Sequence, residues 1–370
     1  MLDALIPQPQ PNVTVARRPK GYIPPDPLNE PLYVVTTIFN PLRWKSRWKH
    51  FERFAQHVID SGGVLYTHEV SFGNREPATD YAAQHGSKAF CDFREDMIQA
   101  NRWWSTRTDE ELWYKENAIN RMVSRLPHTW KKVAWIDADT HFFRPNWVGE
   151  TSHQLEHYKF LQMFSVAHDL NSNYEVTTAR PSFMTAYLAH TLESLRKGNY
   201  DSSGYPYGNY GLGAWSGLAW ACTREAWDSV GGLIDCCITG AADWYMAWAL
   251  ISEKPGDILK VIPSGSHPNF IQKLLDWELL AIRHIRQNVG VVTGSLGHYF
   301  HGHKANRKYV KRSNLLAEHK FNPISDLRYD WQGLIRLNDD GTQRFIKLRD
   351  GIREWARQRN EDATTHESLT

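Results

Sequence analysis

Two carboxylates one residue apart, Asp137 and Asp139, end the apolar run in KKVAWIDADTHFFRP, residues 131–145. On an extended backbone they point to one side and Ala138 to the other. Burying one carboxylate without a partner is expensive, and two side by side also repel each other. A multivalent cation cancels both costs, and such a hard-oxygen pair suits Mg²⁺ or Mn²⁺ that also holds phosphate oxygens. Simple exposure at a strand end is the competing explanation.

A second group of chemistry-bearing residues is HYFHGH, which carries His298, His301 and His303. A histidine from this segment could complete a metal site with Asp139, and imidazole favours Mn²⁺ over Mg²⁺. Hydrogen-bonded loop histidines are the plainer alternative. In KENAIN, Lys115 could pair with a phosphate and Asn117 with a base or ribose, unless both belong to a solvated helical face. Asp243 follows Gly-Ala-Ala and opens an apolar helix. It is either a helix cap or a base that takes a proton from an acceptor hydroxyl. Two basic stretches with interleaved aromatics, RWKSRWKH and HKANRKYVKR, could hold phosphates or simply face solvent. The first carries Arg43, Trp44, Arg47 and Trp48. The second carries Lys304, Arg307, Lys308, Lys311 and Arg312.

These residues need a frame. LYVVTTIFN reads as a β-branched strand closed by Asn-Pro, and RWKSRWKHFERFAQHVIDSGG as an amphipathic helix closed by Gly62. VLYTHEVSF is the next strand, followed by a polar connection. TDEELWYKENAINRMVSRLP then reads as a helix, with Thr108 as N-cap, Glu111 completing a capping box and Pro127 as the stop. KVAWID is a strand, a helix starts near Trp147, and FLQMFSVA is a further strand. Residues 32–167 therefore alternate β-α-β-α-β-α-β, which predicts an α/β fold with a parallel sheet flanked by helices on both faces. Ligands bind such sheets at the carboxyl ends of the strands, where TTIFN and DADT fall. Beyond them the spacing predicts helices near 184–197, at TREAWDSVGG, at GAADWYMAWALI, near 270–288 and near 343–358, with a frayed last dozen residues. Eight prolines make residues 1–31 an extended arm.

Composition narrows the function. The 370 residues suit one large α/β domain or two ordinary ones, and 41% hydrophobic with 23% charged residues suits a soluble globular chain. A net charge of +2 excludes a global field for nucleic acid, so any basic function is local. Sixteen tryptophans suit a core and also stacking on sugars or bases. The four cysteines have no metal-ribbon spacing and read as reduced thiols, and no apolar run reaches the roughly 18 residues of a membrane span. The N-terminal residues lack the order of a signal peptide. A cytoplasmic protein without a membrane partner is expected.

Taken together, YVVTTIFNP, ELWYKENAINRMVSRLP and VAWIDADTHFFRPNW resemble bacterial and phage glycosyltransferases of the GT-A fold. In those enzymes a Lys-Glu-Asn helix precedes a strand that ends in Asp-x-Asp. SGLAWACTREAWDSVGGLID…GAAD looks like their acceptor-side segment, and HYFHGHKANRKYVKR like their closing segment. The resemblance runs from about residue 32 to 312. It implies a GT-A domain, Rossmann-like, over 32–312. Residues 32–167 would hold the nucleotide sugar and 168–312 the acceptor, with a C-terminal helical extension over 313–370. It further implies that Asp139 binds Mn²⁺ or Mg²⁺ directly. Asp137 would contact the ribose, or the metal through water, and His301 would be the metal ligand from the closing segment. Thr36, Thr37 and Asn40 would line the nucleotide pocket, with Lys115 and Asn117 beside the donor. Arg307 and Tyr309 would contact the diphosphate or pin the closing segment. Trp215, Ser216 and Gly217 would touch donor sugar or acceptor, and Asp243 would be the base if the enzyme inverts. The usual Glu-Asp pair on the acceptor side is replaced by GAADW.

The resemblance implies a nucleotide-diphosphate sugar, such as a UDP-sugar, as donor. The acceptor hydroxyl could belong to a hydroxymethylated base flipped out of phage DNA, or to a polysaccharide, a lipid-linked sugar or a protein. Two other enzymes fit less well. A haloacid-dehalogenase-type phosphatase needs Thr or Val where His141 stands, and a glycosidase needs its two acids about 5 to 9.5 Å apart across a sugar. A non-catalytic carbohydrate- or DNA-binding module would have no use for a metal–diphosphate site.

Overall fold

A computed structural model describes residues 30–74, 88–190, 213–307 and 309–363. The proline-rich arm, the GYPYGNYGL segment and residues 364–370 lie outside them, as do Lys308 and the side chains of Lys304, Tyr309 and Lys311.

The chain opens with β1 (Leu32–Phe39), α1 (Lys45–Asp60) and β2 (Val64–Phe72). Next come α2 (Lys88–Gln99), β3 (Trp103–Thr108), α3 (Lys115–Val123), β4 (Lys132–Ile136), β5 (Thr140–Phe142), α4 (Trp147–Gln154) and β6 (Phe160–Gln162). A seven-stranded sheet has the order β10-β6-β9-β4-β1-β2-β3, where β9 is Ala219–Thr223 and β10 is Val289–Val291. β9 alone runs antiparallel to its neighbours β4 and β6. The expected architecture, a mostly parallel sheet flanked by helices, is the one observed.

Along β1 the side chains alternate between two buried layers. Val34 and Ile38 pack with Phe51, Phe54 and Val58 of α1 on one face. Val35 packs with Ala118, Ile119 and Met122 of α3 on the other. Burial of both faces explains why these strands read as continuous apolar runs. Most tryptophans are spent in these layers; Trp135, Trp147, Trp220, Trp227, Trp248 and Trp277 are all buried.

A smaller sheet, β5-β11-β7-β8, leans on the carboxyl edge of the large one; it uses β7 (Val166–Leu170), β8 (Val176–Pro181) and β11 (Ser295–His298). Its β11 delivers His298 opposite Thr140, next to the Asp-x-Asp turn. Helices α5 (Phe183–Leu188), α6 (Arg224–Val230), α7 (Ala242–Leu250), α8 (Pro268–Leu280) and α9 (Tyr309–Glu318) follow. The hairpin β12 (Leu327–Tyr329)–β13 (Ile335–Leu337) leads into α10 (Gln343–Gln358).

Four expectations are corrected. Thr108 is the last residue of β3, paired with Phe72, and caps no helix. Its hydroxyl accepts from the Glu110 N–H, and α3 starts only at Lys115. The polar connection before it holds α2 and β3. FLQMFSVA is two short strands in different sheets, β6 and β7. The tail is packed up to residue 363: Arg359 and Glu361 are buried, and Asp362 accepts from the Lys45 and Ser46 N–H groups at the start of α1.

Candidate functional site

The carboxyl ends of β1 and β4 open into a cleft of about 1100 Å³, counting its open mouth. Thr36 and Thr37 line it, and the buried Thr36 hydroxyl ties the two strands by donating to the Ile136 carbonyl at 2.8 Å. Just past β4, the Asp137 N–H donates to the Leu218 carbonyl, so the Asp-x-Asp turn is stitched to the segment before β9.

Asp137 and Asp139 take different partners. The Lys115 ammonium lies 2.5 Å from Asp137 Oδ1. Burial disfavours the charge on Lys115, but Asp137 and then Asp243 outweigh it and hold the ammonium above its ordinary range. Burial pushes the Asp137 carboxyl up, against the pull of Lys115 and with the repulsion of Asp139. Asp137 is thus the counter-ion of α3, and the expected metal ligand is not in the ligand group that the described residues form.

That group is Asp139, His298 and His301, whose candidate ligand atoms all lie within 4.8 Å of one another. His301 Nδ1 is 3.0 Å and His298 Nε2 3.8 Å from Asp139 Oδ2. Asp139 Oδ1 is buried and has no hydrogen-bond partner among the described residues. A buried, orphaned carboxylate oxygen beside two imidazoles is the donor set a divalent cation would satisfy. Burial, then Arg307 and His298, push His301 well below the usual histidine range, so its ring is neutral, the form that ligates. His298 is oriented from behind. Its Nδ1 lies 3.0 Å from Asp169 Oδ1, and Asp169 Oδ2 accepts from Arg180 at 3.2 Å. The carboxylate fixes the proton on Nδ1 and turns the Nε2 lone pair toward Asp139. His303 is not in the group.

Across the cleft, Asp243 sits in the first turn of α7. The helix is capped by Ala241 in the left-handed conformation, so Asp243 is not the cap. A Cβ on Gly217 would stand 2.3 Å from Asp243 Oδ2, so only glycine lets this carboxylate lie where it does. Trp215 also lines the cleft, with the Arg180 guanidinium 3.9 Å from its ring centre and His298 edge-on at 5.3 Å.

Three expected contacts fall elsewhere. Asn40 spends its side chain on its own turn, donating to the Trp44 carbonyl at 2.8 Å and accepting from the Trp44 N–H at 2.9 Å. Asn117 is buried on the far side of α3, bonded to Asp235, the Gly333 carbonyl and the Ile335 N–H. Ser216 offers its carbonyl to Trp220 and does not line the cleft.

Other lining residues carried no local signal. Glu116 is buried beside Lys115, and burial raises its carboxyl to about 8 despite that cation. Arg47, Arg307, Arg312 and Arg359 form a basic wall, with Glu361 among them. Sequence reading had Arg47 and Arg312 only as members of basic stretches, and placed Arg359 and Glu361 in a frayed tail.

No protein-family model matches the chain, and a search of curated proteins returns no match. Among solved structures, the chain is similar in backbone to the crystal structure of GalNAc-T7 with UDP, GalNAc and Mn²⁺, at 10% identity and a TM-score of 0.32. That superposition covers 79% of this chain and spans only half of the other, a distant likeness.

Proposed function

We propose that the protein is a metal-dependent glycosyltransferase that moves a sugar from a nucleotide-diphosphate sugar to an acceptor hydroxyl. One observation carries the reading. A carboxylate–imidazole triad with an orphaned oxygen shares one cleft with a basic wall and a separate carboxylate, at the carboxyl edge of a parallel sheet. The sequence resemblance to GT-A enzymes supports it. A glycosidase would not need the anion wall, and a pure binding module would not need the triad.

In this reading Asp139, His298 and His301 would hold Mn²⁺ or Mg²⁺, and the ion would supply positive charge to offset that of a diphosphate leaving group. Thr36 and Thr37 wall the nucleotide. Lys115 pairs with Asp137 at the turn and adds positive charge to the donor side. Trp215 and Gly217 shape the space beside Asp243. Asp243 accepts the proton of the acceptor hydroxyl as that oxygen attacks the sugar, and the sugar's bond to the diphosphate breaks. The acceptor we put to the test is a hydroxymethylated base in DNA, which would make the protein a cytoplasmic, phage-type modification enzyme. Its support is the resemblance of the sequence to phage enzymes. No helix among the described residues is long and apolar enough to cross a membrane.

The test is release of nucleotide diphosphate from a panel of nucleotide sugars with Mn²⁺, with and without hydroxymethylated DNA, against Asp139→Ala. Release that needs Mn²⁺, one donor and Asp139 is expected, and stimulation by the DNA would identify the acceptor class. A folded protein that releases nothing from any donor and binds no nucleotide diphosphate refutes the reading.

A further inference from the structure

The segment that follows α10 packs back onto the cleft. Residues 359–362 run along the His301–Gly302 turn so closely that a Cβ on Gly302 would stand 2.3 Å from the Arg359 carbonyl oxygen. Glu361 sits between two guanidinium groups. Its carboxylate accepts from Arg47 Nε at 2.5 Å and Nη2 at 2.7 Å, and from Arg359 Nε at 2.6 Å. Arg47 also donates from Nη1 to the Phe39 carbonyl. All three Arg47 nitrogens are therefore engaged inside the protein, and Arg47 acts as a strut.

Arg359 is different. It is only 7% exposed and lines the cleft. The Trp113 and Trp355 ring centres lie 5.6 and 5.5 Å from its guanidinium carbon, and Glu361 holds its Nε. Its two Nη groups take no hydrogen bond among the described residues. A desolvated, stacked guanidinium held by one edge, with its terminal nitrogens left to a cleft, is a preformed fork for a doubly oxygenated anion. Burial and the cations of Arg47 and Arg307 lower its proton affinity, a strain that a bound anion would relieve.

We propose that Arg359, positioned by Glu361 and the Trp113–Trp355 pair, is a diphosphate-binding residue of the cleft, contributed by the segment after the last helix. The inference deepens the glycosyltransferase reading, and its test is independent of turnover. Inorganic pyrophosphate is titrated calorimetrically into the full chain with Mn²⁺ present, and Mn²⁺ alone is titrated in parallel. Losing one partner of a desolvated charge pair predicts that Arg359→Ala weakens pyrophosphate binding by about 30-fold or more, with Mn²⁺ affinity unchanged. Arg359→Lys keeps the charge and the stacked position but loses the fork, and is expected to recover only part of the affinity. It also decides the matter if the alanine variant fails to fold. Glu361→Gln should weaken pyrophosphate less than Arg359→Ala does. Wild-type protein that binds no pyrophosphate, or folded Arg359 variants that bind it as tightly as wild type, would overturn the site. Tight Arg359-dependent pyrophosphate binding, with no turnover of any nucleotide sugar and no binding of a nucleotide diphosphate, leaves the anion site standing and removes the glycosyltransferase reading.

Discussion

Replacing Asp169 with asparagine tests the metal site without touching any of its ligands. Asp169 is buried, with one oxygen accepting from His298 Nδ1 at 3.0 Å and the other from Arg180 at 3.2 Å. Asparagine has the same shape but only one acceptor oxygen. If that oxygen faces His298, the amide NH₂ points at the Arg180 guanidinium, donor against donor. If it faces Arg180, the NH₂ points at Nδ1, which then gives up its proton, and Nε2 carries the hydrogen in place of a lone pair. Either arrangement disturbs His298. Loss of such an orienting carboxylate weakens metal affinity by about 10- to 100-fold, which corresponds to about 1.4–2.8 kcal/mol. Calorimetric Mn²⁺ titration near neutral pH reads this directly, and a melting curve of the metal-free protein reports the structural cost separately. Asp169→Asn that binds Mn²⁺ as tightly as wild type would show that His298 is not a ligand, or that its tautomer is not set by Asp169. Asp169→Ala is the poorer variant, because it leaves Arg180 buried without this partner, a change on the order of 3–5 kcal/mol in stability.

Gly302→Ala puts a methyl group against the Arg359 and Asn360 carbonyls at a backbone φ of +85°, where side chains are strained. It should lower the melting temperature, with a cost of about 1–3 kcal/mol, and weaken pyrophosphate binding more than Mn²⁺ binding; unchanged melting would mean that the strap is not seated there. Gly217→Ala pushes on Asp243 and should reduce turnover with Mn²⁺ affinity intact, so full activity in this variant would remove Asp243 from the chemistry. Acid should lower stability in two stages, an upper one to which His68 contributes with other buried histidines and a lower one to which Glu361 contributes. Burial holds His68 at about 4, below its ordinary 6.5, so the unfolded chain binds the extra proton first and stability falls as pH drops from 6.5 to 4. Burial opposes the Glu361 charge, but Arg47 and Arg359 outweigh it and hold the carboxyl at about 2. That contribution is complete above about pH 4.5 and is lost on the way down to 2. The His68 and Glu361 contributions are each worth about 3 kcal/mol, and Glu361→Gln should flatten the lower stage in a melting-temperature profile. A lower stage unchanged in that variant would assign the acid sensitivity elsewhere.

What could be read in advance follows the range of the interactions involved. The strand-end position of Asp137 and Asp139 is local, set by an apolar run and a turn, and it was legible. So were His301 in its His-rich segment and the alternating elements that predicted a mostly parallel sheet. The partners of these groups were not. Asp137 goes to Lys115 because α3 packs across the strand end, a tertiary fact. His298 stood in plain view in HYFHGH, yet its role depends on Asp169, which is brought to it by strand pairing in the small sheet. Asn40 and Asn117 have the right groups for a base or ribose, but a turn and the β12–β13 hairpin use them. Thr108 carries a good capping pattern that lost to pairing with β2, where Phe72 meets it. Arg359 and Glu361 sit in a polar stretch after an amphipathic helix, the pattern of a fraying end, because nothing within a few residues shows what they will touch.

The bond between Arg47 and Glu361 joins positions 314 apart in sequence. During synthesis, the large sheet and the histidines of the triad emerge before the residues that secure the arginine edge of the cleft. The contact between Arg47 and Glu361 can form only once the later residues have been made. A nascent chain, or one clipped after α10, would keep Asp139, His298 and His301 while lacking Arg359 and Glu361, and so would hold the candidate cation site without the proposed anion site. Under the proposed roles, the order in which these residues are made becomes an order of competence, with the anion-binding edge completed after the cation-binding one.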